Sequence, residues 1–352
     1  MRNLDELDLA KLDPDSMWQR IGELPQQCLD AWALVESFRL PESYRQVNNV
    51  VISGLGGSAI GADLARTLAQ ASASVPIAVV RDYSLPDYVD DRTLAIASSY
   101  SGNTEETLAV LDEAIARGAK CVGVGTGGLL QQRCQDAGIP FLRFDYKSAP
   151  RAALGYSLFC LAGVLYHAGL LPMAASDLNE AVQVMRAWQQ EITVAVPTAD
   201  NAAKQLAMRI YGHLPVIYGA SILSEVARRW KGQFNENSKS WSFFEVMPEL
   251  NHNAVLGYQN PGQLTDRILV IMLRSQSDHP RVQIRFDITA QILAEHKVSH
   301  ETVWARGNSP LAQMLSIIHF GDYVSLYLAF LYGSDPTAID AINYLKSSLA
   351  RA

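Results

Sequence analysis

Apolar positions along the chain follow two rhythms, short β-branched runs and longer stretches of helical spacing, and they alternate. Residues 1–48 carry a helical pattern, with Asp15-Ser16-Met17-Trp18 opening an amphipathic run toward Phe38. Val50-Val51-Ile52 predicts a short buried strand that breaks into Gly54-Leu55-Gly56-Gly57-Ser58, and a helix follows through Leu68. Val75 to Val80 reads as a second strand and Thr93 to Ala97 as a third. Asn103 to Arg117 reads as a helix, with Asn103 as its N-cap and Glu106 as its capping-box partner. Cys121-Val122-Gly123-Val124 and Pro140-Phe141-Leu142-Arg143 continue the series. Strands and helices in this order predict a parallel sheet.

From Pro150 to about Leu214 the pattern is helix after helix. Strand signals return at Val216-Ile217-Tyr218-Gly219, with a helix from Ile222 to Lys231, and again at Arg267–Leu273 and Ser299–Trp304. Two helical segments, Pro310–Tyr332 and Pro336–Ala350, end the chain. The halves read as a faded duplication. Val51-Ile52-Ser53-Gly54 is echoed by Val216-Ile217-Tyr218-Gly219. Leu94 to Ser101 is echoed by Leu269 to Ser277, where the following Gly-Asn-Thr is missing. The expected organisation is a helical segment over 1–48, a doubly wound α/β domain over 49–150, a helical connection over 151–212 and a second such domain over 213–352.

Composition narrows the partners. At 352 residues, with 49% hydrophobic and 18% charged positions, the chain has the profile of a folded two-domain protein. A formal net charge of -7 argues against a nucleic-acid partner, which would need clustered cations. Cys28, Cys121, Cys134 and Cys160 show no metal-ligand spacing and read as reduced, buried thiols of a cytoplasmic protein. The stretch Met1-Arg2-Asn3-Leu4-Asp5-Glu6 is too acidic and polar for a secretion signal. Ala152 to Met173 lacks formal charge over a length that could span a bilayer, but its glycines and polar residues favour a buried helix, and nothing else in the chain looks comparable. No membrane association is expected.

In open parallel sheets, ligands bind beyond the carboxyl ends of strands where strand order reverses. Two loops occupy such ends here. The more informative is Ser98-Ser99-Tyr100-Ser101-Gly102-Asn103-Thr104, where hydroxyls, a glycine and a helix N-terminus converge as donors suited to a phosphate dianion. Single Ser or Thr residues before helices commonly serve as plain caps, but this density of hydroxyls exceeds what one cap requires. The other loop, Gly54-Leu55-Gly56-Gly57-Ser58-Ala59, satisfies a dinucleotide glycine fingerprint, with Asp82 near the place of a ribose-binding acid. That reading leaves Ser101-Gly102-Asn103-Thr104 unexplained and ranks below a phosphate site, so no cofactor is expected.

Gly56-Gly57-Ser58 together with Ser99-Tyr100-Ser101-Gly102-Asn103-Thr104 resembles the sugar isomerase (SIS) domain. Asn235-Glu236-Asn237-Ser238-Lys239 and Pro248-Glu249-Leu250-Asn251-His252-Asn253 narrow the resemblance to the bifunctional phosphoglucose/phosphomannose isomerases of the archaeal and bacterial type, from about residue 48 onward. The resemblance implies two SIS domains, a homodimer, and cofactor-free interconversion of glucose 6-phosphate or mannose 6-phosphate with fructose 6-phosphate in glycolysis and gluconeogenesis. Residue by residue, it implies that Gly57, Ser58, Ser99, Ser101 and Thr104 hold the substrate phosphate. It further implies that Glu236 is the catalytic base, His252 opens the ring, and Arg151 and Lys346 are active-site cations, with Thr337 loosely aligned beside the sugar. His252 is implied to reach the neighbouring subunit's site. The remaining alternatives are a non-catalytic SIS sensor of sugar phosphates and an isomerase of another phosphosugar.

The residue types suit that chemistry. A carboxylate can take a proton from one carbon and return it to the next with little change in geometry. Glu236 follows an amphipathic helix in a polar patch, whereas Glu249, its nearest competitor, follows Pro248 where acids commonly serve a helix dipole. Asn251 and Asn253 flank His252 and could fix its tautomer. A fixed positive charge at Arg151 could stabilise an enediolate. His167, His213 and His319 read as structural, and His279, His296 and His300 lack regular ligand spacing, so no metal is expected.

Overall fold

The computed structural model describes residues 2–349 and Arg351. Met1 and Ala350, at the ends of the expected first and last helical segments, and Ala352 lie outside the described residues. In chain order, α1 (Leu9–Leu12), α2 (Met17–Gly22) and α3 (Leu24–Ser37) precede the first sheet, which comprises β1 (Asn49–Ser53), β2 (Ile77–Val80), β3 (Thr93–Ser99), β4 (Lys120–Gly125) and β5 (Phe141–Arg143). Its helices are α4 (Gly56–Ala69), α5 (Glu105–Ala116) and α6 (Gly128–Asp136). Then come α7 (Leu154–His167), α8 (Ala175–Ile192) and α9 (Ala202–Ile210). The second sheet holds β6 (Leu214–Ala220), β7 (Phe243–Met247), β8 (Ile268–Arg274) and β9 (Ser299–Trp304), with α10 (Ser224–Glu236), α11 (Pro280–Glu295), α12 (Pro310–Tyr332) and α13 (Asp340–Leu349).

The chain divides into two compact units. The first joins Glu23–Val184 to Gly307–Ala312 and contains the whole first sheet, in the all-parallel order β2-β1-β3-β4-β5. Val51, Ala95 and Cys121 pack into one apolar cluster with Leu108 and Leu111 of α5 and Cys134 of α6. Their alternate neighbours Ile52, Ile96 and Val122 are equally buried, so both faces are covered. A strand buried on both faces gains from being apolar at every position, which is why these strands read as continuous runs. Strand order reverses between β1 and β3.

The second unit gathers the chain up to Gly22, Met185–Arg306 and the segment from Gln313 onward. Its sheet is also parallel, ordered β7-β6-β8-β9. Tyr218, Val270 and Met272 pack with Phe286 and Leu293 of α11 on one face, and Ile217, Leu269 and Ile271 are buried on the other. Behind the sheet, α12 is apolar all round and carries buried polar groups. Arg229 donates to Asp322 at 2.6 Å and Gln233 donates to the same carboxylate at 2.9 Å.

Four sequence expectations change. β7 and α11 were not expected: β7 is a short edge strand exposing Phe243 and Glu245, and α11 leaves Ile284 and Ile288 about half exposed, so neither shows a clean apolar face. The helix after β3 begins at Glu105 with Thr104 as its cap residue, and there is no capping box, because the Asn103 carboxamide accepts from Leu129 N–H instead. The last helix begins at Asp340, after Pro336. Finally, α12, not the Ala152–Met173 stretch, is long and apolar enough to cross a membrane, and its apolar window is wholly buried within the protein.

Candidate functional site

At the switch point of the first sheet the chain leaves β3 through Tyr100 and re-enters a helix at Glu105. Ser99 is buried, and its Oγ lies 2.8 Å from Thr104 Oγ1 and accepts from Gly102 N–H at 3.1 Å. Gly102 sits at φ +70°, and a Cβ there would lie 1.8 Å from the Gly127 carbonyl oxygen, so only glycine fits. The loop after β4 and the first turn of α6 brace it from outside. Leu130 N–H donates to Gly102 O at 2.9 Å, and Thr126 donates through both N–H and hydroxyl to Tyr100 O. Tyr100 anchors the other side, its hydroxyl donating to Tyr146 O and accepting from Ser148 N–H. These bonds leave Ser101 exposed and Thr104 half-buried at the start of α5, whose first turn no side chain caps.

Ser58 and Arg151 join this loop. Ser58 Oγ accepts from Tyr100 N–H at 3.2 Å, linking the turn after β1 to the loop after β3. A Cβ on Gly57 would lie 2.9 Å from the Pro150 carbonyl, so the glycine lets the start of α4 meet the one-turn 3-10 segment Pro150–Ala152. Arg151, in that segment, is only 4% exposed. The structure therefore brings Gly57, Ser58, Ser99, Ser101, Thr104 and Arg151 into one neighbourhood at the ends of adjacent strands. The same packing gives Gly57, within the glycine fingerprint, a close backbone contact. Asp82, exposed, accepts from Tyr83 N–H at 2.7 Å.

In the second unit, Glu236 is the last residue of α10 and is half-buried. A helix C-terminus disfavours negative charge, so this carboxylate does not serve the helix. The residues after it are pinned to α12. Asn237 donates to Ser325 Oγ at 3.0 Å, and Ser238 donates to Ser325 O at 2.6 Å. Lys239, at φ +53°, donates to the carbonyls of Glu236 at 2.7 Å and Asp335 at 2.6 Å, and Thr337 N–H donates to Asp335 Oδ1 at 2.7 Å. Glu236 and the half-buried Thr337 thus belong to one framework.

His252 ends the 3-10 turn Glu249–His252 and is exposed, and Lys346 is exposed on α13. The flanking asparagines do not set the His252 tautomer as expected. Asn251 donates to Thr289 and accepts from Arg285, while Asn253 donates to Glu249 and accepts from Ala254 N–H. They hold the turn. His167 and His319 are structural, bonded to the carbonyls of Val35 and Ile21. Among the described residues, no group of three His, Cys, Asp or Glu side chains is disposed to hold a metal ion.

Sequence reasoning missed Lys239, Tyr100 and the Arg229–Asp322–Gln233 cluster as supports of the site. Lys239 and Tyr100 lie inside the motifs, but their bonds join segments 46 to 96 residues apart, which no local pattern reveals.

Residues 199–349 match the family described as the bacterial phospho-glucose isomerase C-terminal SIS domain. A bifunctional phosphoglucose/phosphomannose isomerase of Caldicellulosiruptor bescii is 41% identical over 335 residues, covering 95% of this chain and 99% of the relative. A bifunctional phosphoglucose/phosphomannose isomerase of Aquifex aeolicus is 37% identical over 303 residues, covering 86% and 90%. Among solved structures, a hypothetical protein from Thermus thermophilus superposes with a TM-score of 0.74 at 17% identity, covering 97% of this chain and 92% of that one, a likeness of fold. With full-length relatives at this identity, the chain belongs to the bifunctional phosphoglucose/phosphomannose isomerase family.

Proposed function

We propose that the protein interconverts glucose 6-phosphate and mannose 6-phosphate with fructose 6-phosphate. The observation that carries this reading is the 41% identity to a relative of that name along nearly the whole chain. The phosphate rests on Ser101, Thr104 and the first turn of α5, in a loop that Ser58 and Ser99 hold in shape, so that binding energy positions the sugar carbons. His252 assists ring opening, by proton transfer at the ring oxygen and anomeric hydroxyl. Glu236 then takes the C2 proton of the open aldose, giving a cis-enediol, and returns that proton to C1 as the carbonyl forms at C2. Arg151 stabilises the enediolate oxygen with a fixed charge, and its burial strengthens that effect. Lys346 and Thr337 serve as further contacts to the sugar.

No cofactor takes part, since the proton and the electron pair both stay within the substrate. The protein acts in the cytoplasm, in glycolysis and gluconeogenesis, as a homodimer with SIS domains at 49–150 and 213–352. Four buried, unpaired cysteines are consistent with a reducing compartment.

A coupled assay with fructose 6-phosphate tests the activity, and Glu236→Gln tests the base. The variant should lose about 1,000-fold in kcat, the scale of general-base catalysis, while binding sugar phosphate normally. Wild-type turnover in Glu236→Gln would overturn the assignment of the base. Saturable wild-type binding without C2 proton exchange in deuterated water would overturn the isomerase reading in favour of a sensor.

A further inference from the structure

The two sheets repeat one detail at their strand ends. β1 leads into a turn at Gly56 with φ +52°, and β6 leads into a turn at Ser221 with φ +47°. Ile52 pairs with Ile96, and its counterpart Ile217 pairs with Ile271. Counting forward from Ile96 and Ile271 makes Tyr100 and Ser275 equivalent. In the first unit the Tyr100 N–H donates to the hydroxyl of Ser58. In the second, Ser275 N–H donates to the carboxylate of Asp278 at 3.4 Å, and the Ser221 side chain lies beside the same carboxylate.

Asp278 is 6% exposed, and its Oδ1 is buried without a hydrogen-bond partner. A buried carboxylate with an unsatisfied oxygen costs stability, so turn formation alone does not account for it. Burial pushes the carboxyl up, against Ser221, Ser275 N–H and the charge of Arg274. The nearby hydroxyls are also turned inward, since Ser275 and Ser277 both donate to Gln313. Two residues downstream α11 begins, with no acid in its first turn.

We propose that Asp278 is a built-in anion: its carboxylate fills the cradle after β8 as an oxyanion would, closing a second, duplicated phosphate site. This rests on the reading of the first loop as a phosphate cradle. Replacing Asp278 with serine frees the Ser275 N–H, and the vacated space at the start of α11 beside Ser221 becomes a site for inorganic phosphate.

The test is calorimetric titration with inorganic phosphate of Asp278→Ser, made in a Ser101→Ala/Thr104→Val background that disables the first loop. The proposal expects one equivalent bound in the millimolar range, against none in the background alone. An Asp278→Ser protein that binds no more than its background overturns it. Should that variant not fold, Asp278→Ala vacates the same space without leaving a hydroxyl in it. Its Tm should then rise by about 2–4 °C in phosphate at roughly ten times Kd, beyond any rise in the wild type, and an unchanged difference overturns the proposal. Failure of the first-loop reading shows separately, as an unaltered wild-type protein that binds no phosphate.

Discussion

The loops after β3 and β8 leave equivalent strands and bear similar hydroxyls, yet they are built to opposite ends. After β3, a glycine at positive φ and bonds from the neighbouring segment hold the backbone so that the Ser101 hydroxyl stays open beside an uncapped helix start, while Thr104 is bonded to Ser99. After β8, the hydroxyls of Ser275 and Ser277 are spent on Gln313, and the chain's own carboxylate takes the turn. The polar investment of the second unit lies instead behind Glu236, in Ser325, Asp322, Arg229 and Gln233. A hydroxyl-rich sequence therefore does not define an anion cradle. What defines it is whether the surrounding backbone satisfies the loop from outside and leaves a hydroxyl such as that of Ser101 exposed.

The sharpest way to break the contrast is Gly102→Ala. The added Cβ would collide with the Gly127 carbonyl at 1.8 Å, and alanine resists φ +70°. Strain of this kind together with overpacking costs upwards of about 3 kcal/mol. We expect KM for fructose 6-phosphate to rise more than 100-fold with a lowered Tm. A KM within a few-fold of wild type would show that the cradle does not depend on this backbone.

Much of this was legible in the sequence. Both sheets emerged because parallel strands buried on two faces read as apolar runs, and Ser99 to Thr104 stood out by the density of hydroxyls after one of them. Edge strand β7 was illegible because Phe243 and Glu245 face outward, and α11 because Ile284 and Ile288 are left half exposed. Asn103 does not serve as the expected cap because its carboxamide is claimed by the first turn of α6, 26 residues away. Nor could the neighbours of His252 be read correctly: Thr289 and Arg285, which engage Asn251, come from α11, an element the sequence did not announce.

The polar interior of the second unit gives the next test. Burial holds the His319 imidazole down to about 4, while its Nε2 is bonded to the Ile21 carbonyl at 3.1 Å. A depressed histidine is neutral in the folded protein when the unfolded chain has already taken up a proton. Its stabilising effect is thus intact above about pH 6.5 and is lost progressively as the pH falls toward 4, by up to roughly 3 kcal/mol. His319→Gln retains a donor that does not titrate. The stability difference between wild type and variant, followed by denaturant unfolding from pH 7 to pH 4.5, should shift toward the variant as pH falls. A difference independent of pH would mean that His319 titrates normally.

The smallest effect bears most directly on the two loops, because it compares one hydroxyl in each. Ser101 Oγ is exposed and accepts only a long bond, 3.3 Å, from Asn103 N–H, whereas Ser277 Oγ is engaged with Ser275 and Gln313. A hydrogen bond to a charged ligand contributes about 1.5–3 kcal/mol, so Ser101→Ala should raise KM by roughly 10- to 100-fold with little change in folding. Ser277→Ala removes a hydroxyl of the same kind from the equivalent strand end, and KM should stay within about twofold because no substrate phosphate reaches it. Steady-state kinetics on the pair decides the matter. Equal effects from the two substitutions would show that the loops share the ligand and that the closed geometry after β8 opens in solution; an effect confined to Ser101 would show that hydroxyls become functional only where the fold leaves them unpaired.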